Sequence, residues 1–389
     1  MAEPDLKIRQ PPTRPGLAPV LVLGLVGLLV MGLPLVVIRP ARTPAVPAVT
    51  VVKGKMASKV DFFRDSKVRE ILRRKQIEVL VDNTGSREIA THDVDKYDFV
   101  FPSGQPAADL IMSTRLKSNK EAHAYLPFVS PIVLATYRPY ARALQDAGVA
   151  TAMNPNGSNP LYYKINLGRF VQLSEVGVRW NDIGIRNYGI ENSNLVLAHT
   201  ADVCLSNSGG TYQGLIAYAK NNGRAASAES EVAALAQSLK PLYRAQGAPT
   251  ADRVPYYLSP EGMRIAPIVV IYEHQYLAHQ LRRPQGKPDE DRVLLYPADH
   301  FETQPSFIAL NESGRKVGDL LRTDPELRAR AVELGFRVLD ADQDTASPLL
   351  AGLLAERGIE VPPSDNNHTR AYLPPLDLFE KLIITIGGC

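Results

Sequence analysis

A run of small hydroxylated residues and glycines, Ser206–Gly210, has the composition of a site that binds a polar ligand. The segment that follows it is periodically apolar through Ala219, so the run is expected to begin a helix. The first backbone N–H groups of a helix have no intrahelical acceptor, and together with serine hydroxyls they can bind an anion without a metal. The same residue types are also the usual N-caps, and a cap alone binds nothing. Both interpretations stay open at this point.

A second run of the same kind, Thr84–Ser86, follows an apolar segment over 77–81, and a loop over 53–59 follows another apolar segment over 48–52. These segments alternate with helical patterns, which predicts parallel strands joined by crossover helices. Ligands of such sheets lie beyond the carboxyl ends of the strands. We therefore expect both loops to face one ligand.

Other kinds of chemistry have no support in the sequence. The seven histidines do not cluster, and His274 and His279 do not have the spacing of a helical metal-ligand pair. Ser208 lies outside any Gly-x-Ser-x-Gly pattern, and no phosphate-binding Gly-x-x-x-x-Gly-Lys-Ser/Thr loop occurs. The net charge of +3 comes from 44 basic and 41 acidic residues, without a basic stripe. We predict no enzyme, no metal site, no cofactor and no nucleic-acid partner.

The beginning of the chain predicts a membrane anchor. Residues 17–38 carry no charged side chain and are long enough to cross a bilayer as a helix. This run is longer than the apolar part of a signal peptide, and no lipid-attachment cysteine follows it, so we predict an uncleaved signal anchor. Residues 1–16 are then cytoplasmic, 39–47 form a Pro-rich linker, and the bulk of this single-pass protein of the cell membrane is extracytoplasmic.

The chain has two cysteines, Cys204 and Cys389. Two cysteines make neither a metal site nor a disulfide framework. They could pair with each other, although a residue at the very end of the sequence is an unusual structural partner. The sequence leaves this pairing open.

The order of the segments resembles that of type II periplasmic, or extracellular, solute-binding proteins, in the branch that includes phosphate- and molybdate-binding members. The resemblance covers 49–338 and depends on several stretches in order, namely 49–55, 83–86, 130–135, 202–212 and 267–273. It implies an α/β fold of two Rossmann-like lobes with mixed sheets, joined by two crossing hinge segments. The ligand would be enclosed in the cleft between the lobes.

The same resemblance implies the domain boundaries. Lobe 1 would comprise 48–132 and 266–345, and lobe 2 would comprise 133–265. Residues 346–389 would form a C-terminal helix and a loosely specified tail. The apolar segment over 195–199 is expected to be the strand that leads into the helix start at Ser206–Gly210.

The resemblance also implies a set of ligand contacts in which hydrogen-bond donors dominate. The residues are Lys55, Ser58, Thr84, Gly85, Ser86, Ser130, Ser206, Ser208, Gly209, Gly210, Thr211 and Tyr212, with Thr136, Tyr272 and Glu273 at the hinge. Because donors dominate, we expect a small anionic or polar ligand resembling an oxyanion. Glu273 would repel an anion, so either it faces away or the ligand carries a donor or a cation.

These observations favour a membrane-anchored solute-binding protein that closes its lobes on a ligand and serves a membrane permease. The missing lipid-attachment cysteine departs from the usual form of the family, so a second hypothesis is a sensor or scaffold whose bilobed domain binds a protein partner at the surface. An enzyme built on this fold is a third hypothesis, without positive support in the sequence.

Overall fold

The structure is a computed structural model, and it describes residues 49–154, 157, 159–247, 254–301, 304–340, 347–362 and 369–389. The anchor predicted over 17–38, the cytoplasmic segment 1–16 and the linker 39–47 lie outside these residues. Within the described ranges, no helix has both the length and the apolar character that a membrane crossing needs.

The described chain alternates strands and helices throughout. The strands are β1 (Thr50–Met56), β2 (Ile77–Asn83), β3 (Phe99–Phe101), β4 (His123–Tyr125), β5 (Phe128–Val129), β6 (Ile132–Tyr137), β7 (Ala150–Ala152), β8 (Tyr162–Ile165), β9 (Ile268–Tyr272), β10 (Arg292–Pro297), β11 (Asp299–His300), β12 (Phe307–Ala309), β13 (Arg337–Val338) and β14 (Thr369–Arg370). The helices are α1 (Val60–Arg64), α2 (Ser66–Arg74), α3 (Ser86–Thr91), α4 (Gln105–Lys117), α5 (Arg138–Asp146), α6 (Leu167–Glu175), α7 (Asn207–Lys220), α8 (Glu229–Gln246), α9 (Val254–Leu258), α10 (Gly262–Ile265), α11 (Glu273–Leu281), α12 (Glu312–Thr323), α13 (Pro325–Glu333), α14 (Leu349–Glu356) and α15 (Leu376–Gly387), with 3-10 turns at Trp180–Ile183 and Ile185–Tyr188.

The first sheet has the strand order β2-β1-β3-β12-β4. Strand β1 pairs in parallel with β2 and with β3, whereas β12 is antiparallel to both of its neighbours. An aromatic cluster fills one side of this sheet, in which Phe99 stacks on Phe307 with ring centroids 4.4 Å apart. Because β1, β2 and β3 run in the same direction, the loops that follow them emerge at one edge of the sheet.

The second sheet has the order β7-β8-β10-β6-β9 and is also mixed. The predicted boundaries assign 292–297 to lobe 1, but β10 pairs with β8 and β6 in this second sheet. The reason for this position is the apolar character of β10. Val293 to Tyr296 are all buried, and a strand that is apolar on both faces is suited to the interior of a sheet covered on both sides. Strand β9, which the predicted range 266–345 also assigns to lobe 1, pairs with β6 in the same second sheet. The remaining boundaries stay a prediction.

The strand expected over 195–199 is replaced by isolated bridges. Leu195 bridges to Arg179, and His199 bridges to Val269 at the edge of β9. His199 exchanges backbone hydrogen bonds with Ile268 and Val270, and then the chain leaves the sheet. The apolar side chains that suggested a strand are buried in the core instead, as Val196 and Ala198 show.

The tail expected to be loosely specified contains α15, which packs against α8 and α7. Its buried side chains recur on one face, as expected for an amphipathic helix: Leu378, Phe379, Leu382, Ile383 and Ile386. This spacing was present in the sequence, so the helix was predictable. Helix α14 also forms, at Leu349–Glu356, where the sequence predicted a short helix.

Cys204 and Cys389 form a disulfide across 185 residues of sequence. The bond joins the loop that precedes α7 to a residue two positions beyond the end of α15. The pairing that the sequence left open is therefore present. Disulfides of this kind persist in oxidising compartments and are rare in the cytosol.

We predict that the disulfide contributes about 2–4 kcal/mol to the free energy of unfolding, because it closes a long loop in the unfolded chain. Urea unfolding of the full chain with and without dithiothreitol measures this contribution. The Cys204→Ser/Cys389→Ser double variant is the control and should be insensitive to dithiothreitol. Equal stability of the oxidised and reduced wild-type protein would contradict the prediction.

Candidate ligand-binding cleft

A cavity of about 650 Å³ lies where loops from the two sheets meet. Its lining from the first sheet consists of the residues that follow β1, β2 and β3. From the other side it is lined by the loop before α7, the start of α7 and the end of β9. The lining residues are Ala57, Ser58, Val60, Asp61, Arg64, Asn83, Thr84, Gly85, Ser86, Glu88, Ser103, Ala201, Asp202, Leu205, Ser206, Asn207, Ser208, Val270, Ile271, Tyr272 and Gln275.

Three serines from successive loops form a hydrogen-bonded layer on the first-sheet side. The hydroxyls of Ser58 and Ser103 lie 2.8 Å apart, and the Ser103 backbone N–H donates to Ser86 Oγ over 2.9 Å. The buried Lys59 donates to Ser58 Oγ over 3.1 Å. The parallel strands thus place three hydroxyls side by side, as expected at the carboxyl edge of such a sheet.

Lys59 also lies beneath the cleft, against its aromatic wall. Its Nζ atom is 3.8 Å from the centroid of the Tyr272 ring, within cation–π distance. Burial, and next the positive charge of Lys59, hold the pKa of the His274 ring well below its usual value. His274 is therefore neutral, and its Nδ1 atom lies 2.8 Å from the Ser130 hydroxyl.

The start of α7 forms the opposite wall. Ser206 is the N-cap and its hydroxyl accepts the Gly209 N–H over 3.4 Å, while Ser206 Oγ and Ser208 Oγ lie 2.9 Å apart. Asn207 Nδ2 donates to the hydroxyls of Thr211 and Tyr272, each over 3.3 Å. The segment therefore caps the helix and also lines the cavity.

The hinge residues have different roles. Tyr272 ends β9 and lines the cleft, and burial raises the pKa of its hydroxyl to about 12, so the hydroxyl is neutral and can donate. Glu273 lies away from the cleft, because its carboxylate binds the Arg337 guanidinium through two contacts of 2.7 Å and accepts from Tyr296. Thr136 is buried and donates to the Pro267 carbonyl over 2.8 Å.

Of the predicted contact residues, the structure brings these to the cleft: Ser58, Thr84, Gly85, Ser86, Ser206 and Ser208. Tyr272, predicted as a hinge residue, joins them. The predicted contacts that do not line the cavity are Lys55, Ser130, Gly209, Gly210, Thr211 and Tyr212.

The two glycines of α7 serve packing. A Cβ atom at Gly209 would lie 2.4 Å from the Ala201 carbonyl oxygen, and one at Gly210 would lie 3.3 Å from Ile383 of α15. Gly209 therefore requires glycine, because a backbone oxygen leaves no room for a Cβ atom, whereas a Cβ atom at Gly210 would be in tight contact with the Ile383 side chain. The other unused residues are buried behind the wall: Ser130, Thr211 and Tyr212. Lys55 lies on β1, in register with Asp82 of β2.

Several lining residues with polar or charged side chains were not predicted from the sequence. They are Asp61, Arg64, Glu88, Ser103, Asp202 and Asn207. Ser103 could have been found, because it follows β3 as Ser58 and Thr84 follow the two neighbouring strands. Asp202 and Asn207 lie beside predicted contact residues, and Asp202, whose carboxylate only accepts, does not fit the donor-rich pattern expected for an anion.

Carboxylates outnumber cations in this lining. Glu88 and Asp202 are half-buried, and Asp61 and Arg64 are exposed. A hydrogen bond from the Thr84 hydroxyl lowers the pKa of Glu88, so Glu88 is ionised at neutral pH. One oxygen of Asp202 accepts the Cys204 N–H over 2.7 Å and leaves its other oxygen for further contacts.

The loop after β2 and the start of α3 touch the loop before α7 beside the cleft. The Arg87 N–H donates to the Leu205 carbonyl over 3.1 Å, and a Cβ atom at Gly85 would lie 2.3 Å from that same oxygen. The buried Arg87 guanidinium binds Glu380 of α15 through two contacts of 2.7 and 2.6 Å. Gly85 has an ordinary φ of −68°, so close approach, not conformation, requires glycine there.

We predict that Gly85→Ala holds the lobes apart, because the added methyl group cannot fit against the Leu205 carbonyl. Small-angle X-ray scattering should then give a larger radius of gyration than that of the wild-type protein. The matched control is Gly352→Ala, at a helical glycine whose Cβ would meet nothing within 4 Å. An unchanged radius for Gly85→Ala would show that this contact does not limit closure.

No protein-family model matches the sequence, and no curated protein matches it significantly. Among solved structures, the chain is similar to the substrate-binding protein of an ABC transporter from Agrobacterium tumefaciens, with 12% identity, 89% of this chain and 97% of that chain covered, and a TM-score of 0.50. It is also similar to the ferric binding protein from Campylobacter jejuni, with 12% identity, 87% and 98% covered, and a TM-score of 0.50. At this identity the similarity shows the fold, a mixed α/β architecture of the type II periplasmic binding kind.

Proposed function

On the basis of the type II periplasmic binding fold, we propose that this protein is an extracytoplasmic solute-binding protein that captures a small anionic or polar ligand between its lobes. The observation that carries the proposal is the cleft of about 650 Å³, which receives polar side chains from loops of both sheets. Cavities of this size are typical of sites for small molecules. The two structural neighbours are, by their names, binding proteins for a substrate and for ferric iron.

The donors available to an anionic or hydroxylated ligand come from both walls. Ser58, Ser86 and Ser103 supply hydroxyls on one side, and Ser206 and Ser208 supply hydroxyls at the start of α7 on the other. The positive end of the helix dipole adds to the attraction for negative charge. A ligand held by both sides stabilises the closed arrangement, and the hinge motion would occur about 129–136 and 265–272.

The ferric ion of the Campylobacter protein is not carried over to this chain. Among the residues that the structure describes, no group of three or more His, Cys, Asp or Glu side chains is arranged to hold a metal ion. The polar lining instead consists mainly of hydroxyls and amide groups that suit an organic or oxyanionic ligand.

We further propose that the protein is anchored in the cell membrane by 17–38, with the bilobed part outside, where it would deliver its ligand to a membrane permease. The charge-free length of that segment supports the anchor. The disulfide between Cys204 and Cys389 supports an oxidising location for the rest of the chain. Protease treatment of intact cells tests the topology, since an extracytoplasmic domain is degraded and a cytoplasmic one is protected.

We predict that at least one member of a panel of sulfate, phosphate, molybdate, amino acids and sugars raises the melting temperature of the full chain. A ligand at a hundred times its dissociation constant stabilises by about 2.7 kcal/mol, which thermal shift measurements detect easily. If no member shifts the melting temperature, the proposed function is wrong, and a surface sensor or scaffold becomes the better hypothesis.

Ser208→Ala should reduce the ligand-induced shift, because it removes a cleft hydroxyl and leaves the N-cap Ser206 in place. Ser206→Ala removes a hydroxyl and also the cap, so it should lower the melting temperature without ligand as well. The matched control is Ser238→Ala, which changes an exposed serine on α8. Unaltered affinity in Ser208→Ala would exclude Ser208 as a ligand contact.

A further inference from the structure

A buried lysine lies directly behind the hydroxyls of the cleft. We infer that Lys59 is a positioning residue for the ligand: its ammonium group polarises the Ser58 hydroxyl, which then donates to a negatively charged oxygen of an oxyanion or a carboxylate. The inference rests on the proposed function, because it concerns how the same cleft holds its ligand. It goes further by naming the ligand group at Ser58 and the residue that acts on the ligand through Ser58.

Ser58 is the member of the serine layer that is most open to the cavity. Ser58, Ser86 and Ser103 all contribute to the lining. The latter two are each only 2% exposed, whereas Ser58 is half-buried. A ligand atom that reaches this layer therefore contacts the Ser58 hydroxyl most readily.

Lys59 approaches the same hydroxyl from the protein interior. Its side chain is fully buried, and its Nζ atom donates to Ser58 Oγ over 3.1 Å. The ammonium group also lies 3.8 Å from the centroid of the Tyr272 ring, so it is held between two residues that line the cavity. Because Lys59 is buried behind the lining, it can act on a ligand only through such neighbours.

The direction of these hydrogen bonds favours an acceptor on the ligand. An ammonium group only donates, so Ser58 Oγ accepts from Lys59 and keeps its own O–H for another partner. Either oxygen can be the donor in the contact between Ser58 and Ser103, so Ser103 can donate to Ser58 while Ser58 donates to a ligand. A hydroxyl that accepts from a charged donor becomes a stronger donor itself, and its strongest partner is an anionic oxygen.

The carboxylates of the lining do not stand alone against an anion. Arg64 lines the same cavity, and Lys55 contributes, after the Thr84 hydroxyl, to the lowered pKa of Glu88. Lys59 adds a further positive charge directly behind Ser58. A charge in a desolvated position acts more strongly over a given distance than one in water, so the lysine favours an anionic group at Ser58 in particular.

Isothermal titration of the full chain with oxyanions (phosphate, sulfate, molybdate), carboxylates (succinate, glutamate) and a neutral sugar (glucose) tests the inference. We expect the wild-type protein to bind an oxyanion or a carboxylate, and Lys59→Met to bind the same probe about tenfold more weakly. The matched control is Lys316→Met, at an exposed lysine of α12 outside the cleft, which should leave affinity unchanged. Binding of glucose alone, or equal affinity of wild type and Lys59→Met, overturns the inference and leaves the proposed function standing. No binding of any probe by the wild-type protein overturns both.

A double-mutant cycle with Ser58→Ala shows whether Lys59 acts through this hydroxyl. Ser58→Ala should weaken binding of the same probe, and adding Lys59→Met should cause no further loss, because the contact between the two residues is already gone. Independent losses that multiply in the double variant would overturn the inference. If Lys59→Met does not fold, Lys59→Gln, which keeps a donor but no charge, takes its place, and wild-type affinity in Ser58→Ala is by itself enough to overturn the inference.

The dependence on salt separates the buried lysine from a cation that attracts the ligand at long range. Because Lys59 is fully buried, the loss in Lys59→Met should persist when sodium chloride is raised to about 1 M. Arg64→Met changes an exposed cation of the same lining, and its effect should disappear at that salt concentration, since exposed charges are screened. A loss in Lys59→Met that also disappears with salt would mean that Lys59 does not act through Ser58, and the inference would be wrong.

Discussion

The antiparallel pairing of β6 and β9 is the constraint on which the cleft depends. These two strands contain the crossing segments of the chain, and five residue pairs hold them in register from Ile132–Tyr272 to Thr136–Ile268. Two bonds extend the register at its ends, from Thr136 Oγ1 to the Pro267 carbonyl and from the Glu273 N–H to the Pro131 carbonyl. Because the register is fixed, Tyr272 is placed at the cavity, where its hydroxyl meets Asn207 of α7. The pairing of β6 and β9 thus also positions part of the cavity wall.

Much of the fold was predictable because its local signals are strong. The parallel strands β1, β2 and β3, the helices after them and the crossing segments all have apolar patterns of the right period. Thr84–Ser86, Ser206 and Ser208, which were predicted from the sequence as ligand contacts, line the same cavity. The position of β10 was not predictable from such patterns. A continuous apolar run indicates a strand that is buried on both faces, but it does not indicate which strands lie beside it in the sheet.

The site was predictable in position and only partly in chemistry. The hydroxyl-rich loops at the strand ends predicted hydrogen-bond donors for a ligand. The carboxylates nearby were not predicted, because no local sequence pattern distinguishes a carboxylate in a cleft from one in solvent. Asp61 lies in the first turn of α1, and Glu88 in the first turn of α3, where acidic residues are common for electrostatic reasons alone. Only the folded arrangement shows that both of these positions, and Asp202 of the other lobe, line one cavity.

Helix α15 gives the two proposed lobes a third connection besides the predicted crossing strands. It is tied to the second lobe by its packing on α8 and by the disulfide, and it binds Arg87 of the first lobe through Glu380. Two crossing strands alone permit both bending and twisting of one lobe against the other. The bidentate Arg87–Glu380 ion pair prevents both bending and twisting until it breaks, because its two hydrogen bonds tolerate little displacement. Opening of the proposed cleft therefore requires this ion pair, which lies next to the lining residues Ser86 and Glu88, to break.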